Sequence, residues 1–193
     1  MADVHSVAVF CGASAGTDPA HRAAALTFGR GLAEAGMRLV YGGGRIGLMG
    51  AVAEGATAQG GAVVGVIPEF LMRREIANED IAALEVTDSM HSRKRRMFDL
   101  ADAFVTLPGG LGTLDETFEI LTWRQLQLHD KPILICDVGG SAAPLVGVIE
   151  AAIAGGFARS DVRGLYEVTQ GVAATLARLR QLATVRGGAS ALL

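Results

Sequence analysis

The sequence is poor in lysine, in cysteine and in net charge. Lys94 and Lys131 are its only lysines, and the formal net charge over 193 residues is −3. Arg93-Lys94-Arg95-Arg96 is its only basic run. A chain without a basic stripe lacks the electrostatic footprint of a nucleic-acid-binding protein, so we expect no nucleic-acid partner.

The two cysteines, Cys11 and Cys136, lie far apart in or beside apolar strand-like runs. This pattern is typical of buried thiols in a reducing cytosol rather than of a disulfide framework. No apolar run is long enough to span a bilayer, and residues 1–5 do not resemble the start of a signal peptide. We therefore expect a soluble, cytoplasmic protein that does not bind membranes.

The four histidines are scattered, and no cluster of His, Cys and Asp has the spacing of metal ligands. Ser14 and Ser92 lack the strand-turn-helix setting of a hydrolase nucleophile. We expect no metal and no cofactor.

Short β-branched runs alternate with longer segments of helical periodicity. This alternation predicts an α/β fold, a Rossmann-like doubly wound parallel sheet in a three-layer α/β/α sandwich. Residues 1–185 are expected to form one nucleotide-binding catalytic domain, and residues 186–193 a disordered tail. The predicted strands are Ser6–Phe10, Arg38–Tyr41, Ala62–Ile67, Ala103–Leu107, Pro132–Cys136 and Leu165–Val168, and the predicted helices are Pro19–Ala35, Leu48–Gln59, Met90–Ala101, Thr113–Leu128, Ala143–Ala154 and Gly171–Leu182.

Glycine-rich turns follow three of these strands, at residues 11–16, 41–44 and 108–110. Because all three are strand-to-helix turns, they share the carboxyl edge of the sheet, where open α/β folds bind ligands. Bare backbone N–H groups and a helix N-terminus favour an anion there. Two carboxylates lie directly behind such a turn in the stretch Pro108-Gly109-Gly110-Leu111-Gly112-Thr113-Leu114-Asp115-Glu116. This arrangement indicates a substrate that is held by its phosphate while an acidic group acts on another part of it.

Gly42-x-Gly44-x-x-Gly47 also satisfies the dinucleotide fingerprint. It follows the second strand rather than the first, and the next acidic residue, Glu69, lies beyond Pro68. NAD binding is therefore a minor alternative.

The basic run lies at the start of a predicted helix that Asp88 or Ser89 could cap. At about 100° per residue, Arg93 and Lys94 fall within the apolar stripe of this helix, and Arg95 and Arg96 fall outside it. Charges on an inward face need partners, so we expect a bound phosphate and a nearby carboxylate beside Arg93 and Lys94.

The helix predicted over Thr113–Leu128 is apolar on two sides. We expect the first face to lie on the sheet and the second to pack against another subunit, with Glu116 at the edge of this dimer seam. The positive end of the helix should keep Glu116 ionised. The sheet-facing residues would be Leu114, Phe118, Leu121 and Leu128, and the second face Ile120, Trp123 and Gln127.

These motifs together resemble the LOG ("lonely guy") phosphoribohydrolases, which release a free base from cytokinin riboside 5′-monophosphates or AMP-like nucleotides. The similarity runs from about Val7 to Pro132. Its most specific parts are Met90-His91-x-Arg93-Lys94-x-x-Met97 and Pro108-Gly109-Gly110-x-Gly112-Thr113-x-x-Glu116, supported by Leu39–Gly44, Gly47–Gly50, Arg74-Glu75-Ile76, Trp123-x-Gln125-Leu126 and His129-x-Lys131-Pro132.

The resemblance implies catalysis by Arg93 and Glu116, and dimers with sites near the subunit seam. It implies contacts to the nucleotide from Glu75, from Arg93 and Lys94, and from the loop Gly110–Glu116. With the glycine turns, the predicted substrate-binding set is Gly43, Gly44, Glu75, Arg93, Lys94, Gly109, Gly110, Leu111, Gly112, Thr113, Leu114, Asp115 and Glu116.

Ala13, Arg45, Asp115 and Leu128 depart from the usual family pattern, and the first two bear on which base is preferred. Proteins of this family are often labelled lysine decarboxylases. A pyridoxal phosphate enzyme of that kind usually needs a Schiff-base lysine. Lys131 precedes a proline at a strand start and Lys94 suits a phosphate, so the sequence argues against that activity. A nucleotide sensor without catalysis remains the main alternative.

Overall fold

The computed structural model describes residues 4–73, 75–78 and 80–187. Most of the predicted tail, residues 188–193, and Arg74 of the family motif lie outside the described residues. Arg186 and Gly187, which were expected to belong to the tail, end the last helix instead.

The centre of the molecule is a parallel seven-stranded sheet of order β4-β3-β2-β1-β5-β6-β7. This confirms the predicted doubly wound α/β fold. The strands are β1 (Ser6–Phe10), β2 (Arg38–Tyr41), β3 (Val63–Pro68), β4 (Ala83–Thr87), β5 (Ala103–Thr106), β6 (Ile133–Asp137) and β7 (Glu167–Gln170).

Helices cover both faces of the sheet. They are α1 (Pro19–Glu34), α2 (Gly47–Thr57), α3 (Met90–Leu100), α4 (Leu111–Gln125), α5 (Ala143–Ala154) and α6 (Gly171–Gly187), with short 3₁₀ helices at Glu69–Leu71 and Ser160–Leu165. One core joins α1, α2 and α6 to the sheet, centred on Phe28, Leu39 and Val52. The other joins α3, α4 and α5 to the opposite face, centred on Met97, Phe104 and Ile120.

The order of the strands reverses at β1, which pairs with β2 on one side and β5 on the other. The chain continues from β1 to α1 on one face of the sheet and from β5 to α4 on the other. A crevice therefore opens at the carboxyl ends of these two strands. The backbone N–H of Gly12, after β1, donates to the carbonyl of Pro108, after β5, at 3.0 Å. The two glycine-rich turns are thereby joined at the place where this fold binds ligands.

Two predictions about the elements were wrong. The strand β4 was not predicted; it is an edge strand that leaves Val86 52% exposed, so its hydrophobic signal is weak. In α4 the fully buried stripe is Thr113, Glu116, Thr117, Ile120 and Leu121, while Leu114 and Phe118 are only partly buried and Leu128, beyond the helix end, is exposed. The polar residues Thr113, Glu116 and Thr117 are therefore buried in α4, together with Ile120, which was expected to face another subunit.

Candidate functional site

A cavity of about 410 Å³ lies at the carboxyl ends of β1 and β2, between α3 and the start of α4. Its volume is within the range of small-molecule sites. It is lined by Val9, Cys11, Gly12, Ala13, Ser14, Gly42, Met49, Leu71, Glu75, Met90, Arg93, Gly110, Leu111, Gly112, Thr113 and Glu116. Both predicted catalytic residues thus face one cavity.

Arg93 is a buried arginine fixed by the backbone of two strand ends. Its Nε donates to the carbonyl of Val66 and its Nη2 to the carbonyl of Gly42, both at 3.1 Å. Nη2 also lies 3.8 Å from Glu75 Oε2 and 3.9 Å from Glu116 Oε1. The predicted inward position of Arg93 is confirmed, and its charge faces two carboxyl groups. Arg95 and Arg96 lie on the solvent side, as predicted.

Glu75 reaches the cavity from the segment that follows the first 3₁₀ helix. The next residue, Ile76, has φ = 48°, a left-handed conformation that a β-branched side chain rarely adopts. The carbonyls of Glu75 and Ile76 both accept from the N–H of Arg45. Glu75 Oε2 is buried and has no hydrogen-bond partner among the described residues. A buried carboxylate oxygen of this kind favours a donor from a ligand.

Glu116 lies in the second turn of α4 and is buried. Burial raises its pKa to about 7, Arg93 and Lys94 lower it, and Glu75 and Asp115 raise it. The expectation that the helix N-terminus keeps Glu116 fully ionised is therefore wrong, because the loss of hydration outweighs the favourable charges. Near neutral pH this carboxyl exists in both protonation states, as suits a group that exchanges protons.

The N-terminus of α4 borders the same cavity. Its N-cap residue is Gly110, and no side chain of the described residues caps it. The first N–H groups of an α-helix have no partner within the helix. At α4 these groups and the positive end of the helix dipole are available to an anion in the cavity.

The predicted substrate-binding residues divide into two groups. Glu75, Arg93, Gly110, Leu111, Gly112, Thr113 and Glu116 line the cavity, and Gly43, Gly44, Lys94, Gly109, Leu114 and Asp115 do not. Lys94 is directed toward α4, with its Nζ 3.1 Å from Asp115 Oδ2 and 3.1 Å from Glu119 Oε2. The carboxylate partner expected for Lys94 is confirmed, and its contact with substrate stays a prediction.

Local packing and backbone conformation require glycine at positions of the dinucleotide-like motif. A Cβ on Gly42 would lie 2.1 Å from Arg93 Nη2, and one on Gly47 would lie 2.4 Å from the carbonyl of Ala13. Gly43 and Gly47 have positive φ angles. These contacts explain the spacing without a dinucleotide.

Sequence reasoning did not assign several lining residues to the site. They include the buried Cys11 and Met49 and the partly exposed Leu71 and Met90. Cys11 was predicted as a buried thiol, which is confirmed, and burial raises its pKa far above the ordinary range. The position of Cys11 directly after β1 could have assigned it to the site, because residues that follow the central strand lie where the strand order reverses.

Among residues 4–73, 75–78 and 80–187, no group of three or more His, Cys, Asp or Glu side chains could hold a metal ion. Within the same ranges no helix has both the length and the apolar character needed to cross a membrane.

The sheet order, the crevice and the open N-terminus of α4 define a Rossmann-like protein with a cleft suited to an anionic ligand. A family model described as "Possible lysine decarboxylase" matches residues 49–179. The cytokinin riboside 5′-monophosphate phosphoribohydrolase of Rhodococcoides fascians is 43% identical over 91% of this chain and 89% of its own length. The chain belongs to this LOG family, as the motifs indicated.

The rice protein named cytokinin riboside 5′-monophosphate phosphoribohydrolase LOG is also 43% identical, over 81% of this chain. The chain spans 65% of the length of that relative. Among solved structures, the molybdenum cofactor carrier protein MCP of Chlamydomonas reinhardtii has a TM-score of 0.70 at 22% identity, over 92% of this chain and 96% of the other. That likeness concerns the fold alone.

Proposed function

We propose that this protein hydrolyses the N-glycosidic bond of cytokinin riboside 5′-monophosphates, of AMP, or of both, and releases the free base and ribose 5-phosphate. The observation that carries the proposal is the buried carboxyl of Glu116, 3.9 Å from Arg93 in a cavity that also contains the open N-terminus of α4. The names of the relatives support the same activity.

The substrate phosphate would lie at the N-terminus of α4. Gly110, Leu111 and Gly112 offer backbone N–H groups there, and Gly110 and Gly112 have nothing within 4 Å of an added Cβ, so a ligand can approach them closely. Binding energy at the phosphate would orient the ribose toward Glu116.

Departure of the base leaves a sugar with positive charge near C1′. The ionised form of Glu116 would stabilise this charge and accept a proton from the attacking water. Its buried setting strengthens the attraction, because charges interact more strongly at low dielectric constant. Glu75, with its unpaired oxygen, would accept a hydrogen bond from a ribose hydroxyl or from the base.

Arg93 would position Glu116 and contact a ribose or phosphate oxygen. An arginine side chain is a poor proton donor, so the departing base takes its proton from another group or from solvent. Its two hydrogen bonds to backbone carbonyls fix the cation in place before substrate binds. A fixed charge needs little reorganisation during the reaction.

The test is to incubate the pure protein with AMP and with isopentenyladenosine monophosphate and to measure free base and ribose 5-phosphate. The expected result is release of base by the wild type and loss of several orders of magnitude in turnover for Glu116→Gln, with AMP binding retained. Glu150→Gln changes an exposed carboxylate and is the matched control, with unchanged turnover expected. Tight AMP binding by the wild type without products would instead indicate a nucleotide sensor.

We further propose that the protein is a homodimer in the cytoplasm, with its site near the subunit interface. Leu111, Leu126 and Leu128, at the two ends of α4, are 85%, 63% and 66% exposed. Exposed leucines concentrated at one element favour a partner surface, and Leu111 also lines the cavity. The unpaired buried thiols of Cys11 and Cys136 agree with a reducing compartment.

A further inference from the structure

Lys94 follows Arg93 on α3, but its ammonium group meets α4 rather than the cavity. Its Nζ lies 3.1 Å from Asp115 Oδ2 and 3.1 Å from Glu119 Oε2, and its side chain is 16% exposed. Asp115 directly precedes Glu116 and Glu119 follows it by three residues, so both carboxylates belong to α4. We call Lys94, Asp115 and Glu119 the Lys94 cluster.

We infer that Lys94 is a positioning residue, which joins the start of α4 to α3 and so holds Glu116 opposite Arg93. This role rests on the proposed function. No side chain caps α4, so contacts with neighbouring elements must fix its first turns. Two adjacent residues of α3 provide such contacts, Arg93 to Glu116 and Lys94 to both Asp115 and Glu119.

A role for Lys94 in holding the phosphate, which its inward position on the predicted helix suggested, fits this geometry poorly. The ammonium group is already shared between two carboxylates, and a phosphate at Nζ would lie beside both negative charges. The N-terminus of α4 offers an anion site without that repulsion.

The Lys94 cluster also acts on the charge state of Glu116. Facing this carboxyl are Arg93 and Lys94 from α3, Asp115 from α4, Glu75 from the segment after the first 3₁₀ helix, and the thiol of Cys11. Lys94 lowers the pKa of Glu116 and Asp115 raises it. Removal of one or the other should therefore move the titration of Glu116 in opposite directions.

The experiment compares Lys94→Met and Asp115→Asn with the wild type in steady-state base release from AMP over pH 5 to 9. Lys94→Met keeps the apolar stem and removes the charge. A positioning role predicts a fall in kcat of about tenfold or more, because small displacements of a catalytic group cost rate. It also predicts unchanged inhibition by ribose 5-phosphate. The acidic limb of the pH profile should move to higher pH in Lys94→Met and to lower pH in Asp115→Asn.

Arg95→Met is the matched control, because it removes an exposed cation from the next position of the same helix. Its kinetics and pH profile should equal those of the wild type. Lys94→Arg should recover part of the lost kcat, since a guanidinium can also bridge two carboxylates. A rise in KM for AMP and weaker inhibition by ribose 5-phosphate in Lys94→Met, with kcat unchanged, would overturn the inference and favour the phosphate contact.

A wild type that releases no base would contradict the proposed function but would leave the cluster testable by thermal unfolding. If Lys94 joins α3 to α4 through Asp115, the double variant Lys94→Met/Asp115→Asn should lose less stability than the two single variants together. Additive losses would overturn the inference independently of activity.

Discussion

The pKa of Glu116 makes a prediction about stability that is independent of the assay for activity. Burial raises this pKa from 4.5 to about 7. Between these two pH values the folded protein binds more protons at this group than the unfolded chain does. Stability must therefore fall as pH rises through this window, and the loss is complete above pH 7.

The size of the effect follows from the shift itself. At about 1.4 kcal/mol for each pH unit, ionised Glu116 costs about 3 kcal/mol of folding free energy above pH 7. Glu116→Gln removes the titration but keeps the shape of the side chain. We expect the stability of this variant relative to the wild type to increase by about 3 kcal/mol between pH 4.5 and pH 7.5, or roughly 6–12 °C in Tm for a chain of this size.

The measurement is urea or thermal unfolding of both proteins at several pH values. The attraction between ionised Glu116 and Arg93 is already contained in the pKa of about 7, and any change in packing that does not depend on pH cancels in the comparison across pH. Glu150→Gln is a control in which the pH dependence of stability should have the opposite sign, because a hydrogen bond from Arg163 lowers the pKa of Glu150. The stability provided by Glu150 is present above its unfolded pKa and is lost as pH falls. A difference between Glu116→Gln and the wild type that does not change with pH would refute a buried, partly protonated carboxyl.

Three further outcomes follow from the same site. Gly42→Ala should displace Arg93, because the new Cβ would lie 2.1 Å from its Nη2. Base release should then fall at least about a hundredfold. Gly147→Ala is the control, since no atom lies within 4 Å of the added Cβ, and base release should be unchanged. Arg93→Met should leave two buried carboxyls without their cation and lower the free energy of unfolding by about 3 kcal/mol in a urea titration. Leu128→Asp should convert a dimer to monomers in analytical ultracentrifugation, and a dimer that persists would exclude this end of α4 from the interface.

The sequence predicts the centre of the sheet well because its strands are buried on both faces and read as continuous apolar runs. β1 and β2 begin and end where predicted. The edge strand β4 has no such signal, since only part of it packs against other elements. Helix ends differ by a few residues for a similar reason, because caps and exposed turns depend on local contacts.

For the site, the motifs identify the residues but not their surroundings. Helical periodicity places Arg93 on the inward face of α3, and the structure agrees. The same periodicity leads to the wrong face of α4, because Thr113 and Thr117 count as polar although both are buried. The hydroxyl of Thr117 is paired with that of Thr106 and donates to the carbonyl of Thr113. The pKa of Glu116 depends on how deeply the carboxyl is buried, which only the three-dimensional packing determines.

The hydrogen bonds from Arg93 to the carbonyls of Gly42 and Val66 connect α3 to the ends of β2 and β3. The cation that lines the cavity is therefore also a link between a helix and the sheet. Partial opening of α3 would release this side chain from both strand ends at once. Loss of enzymatic competence and loss of amide protection at the ends of these strands should consequently occur in a single cooperative step as denaturant increases.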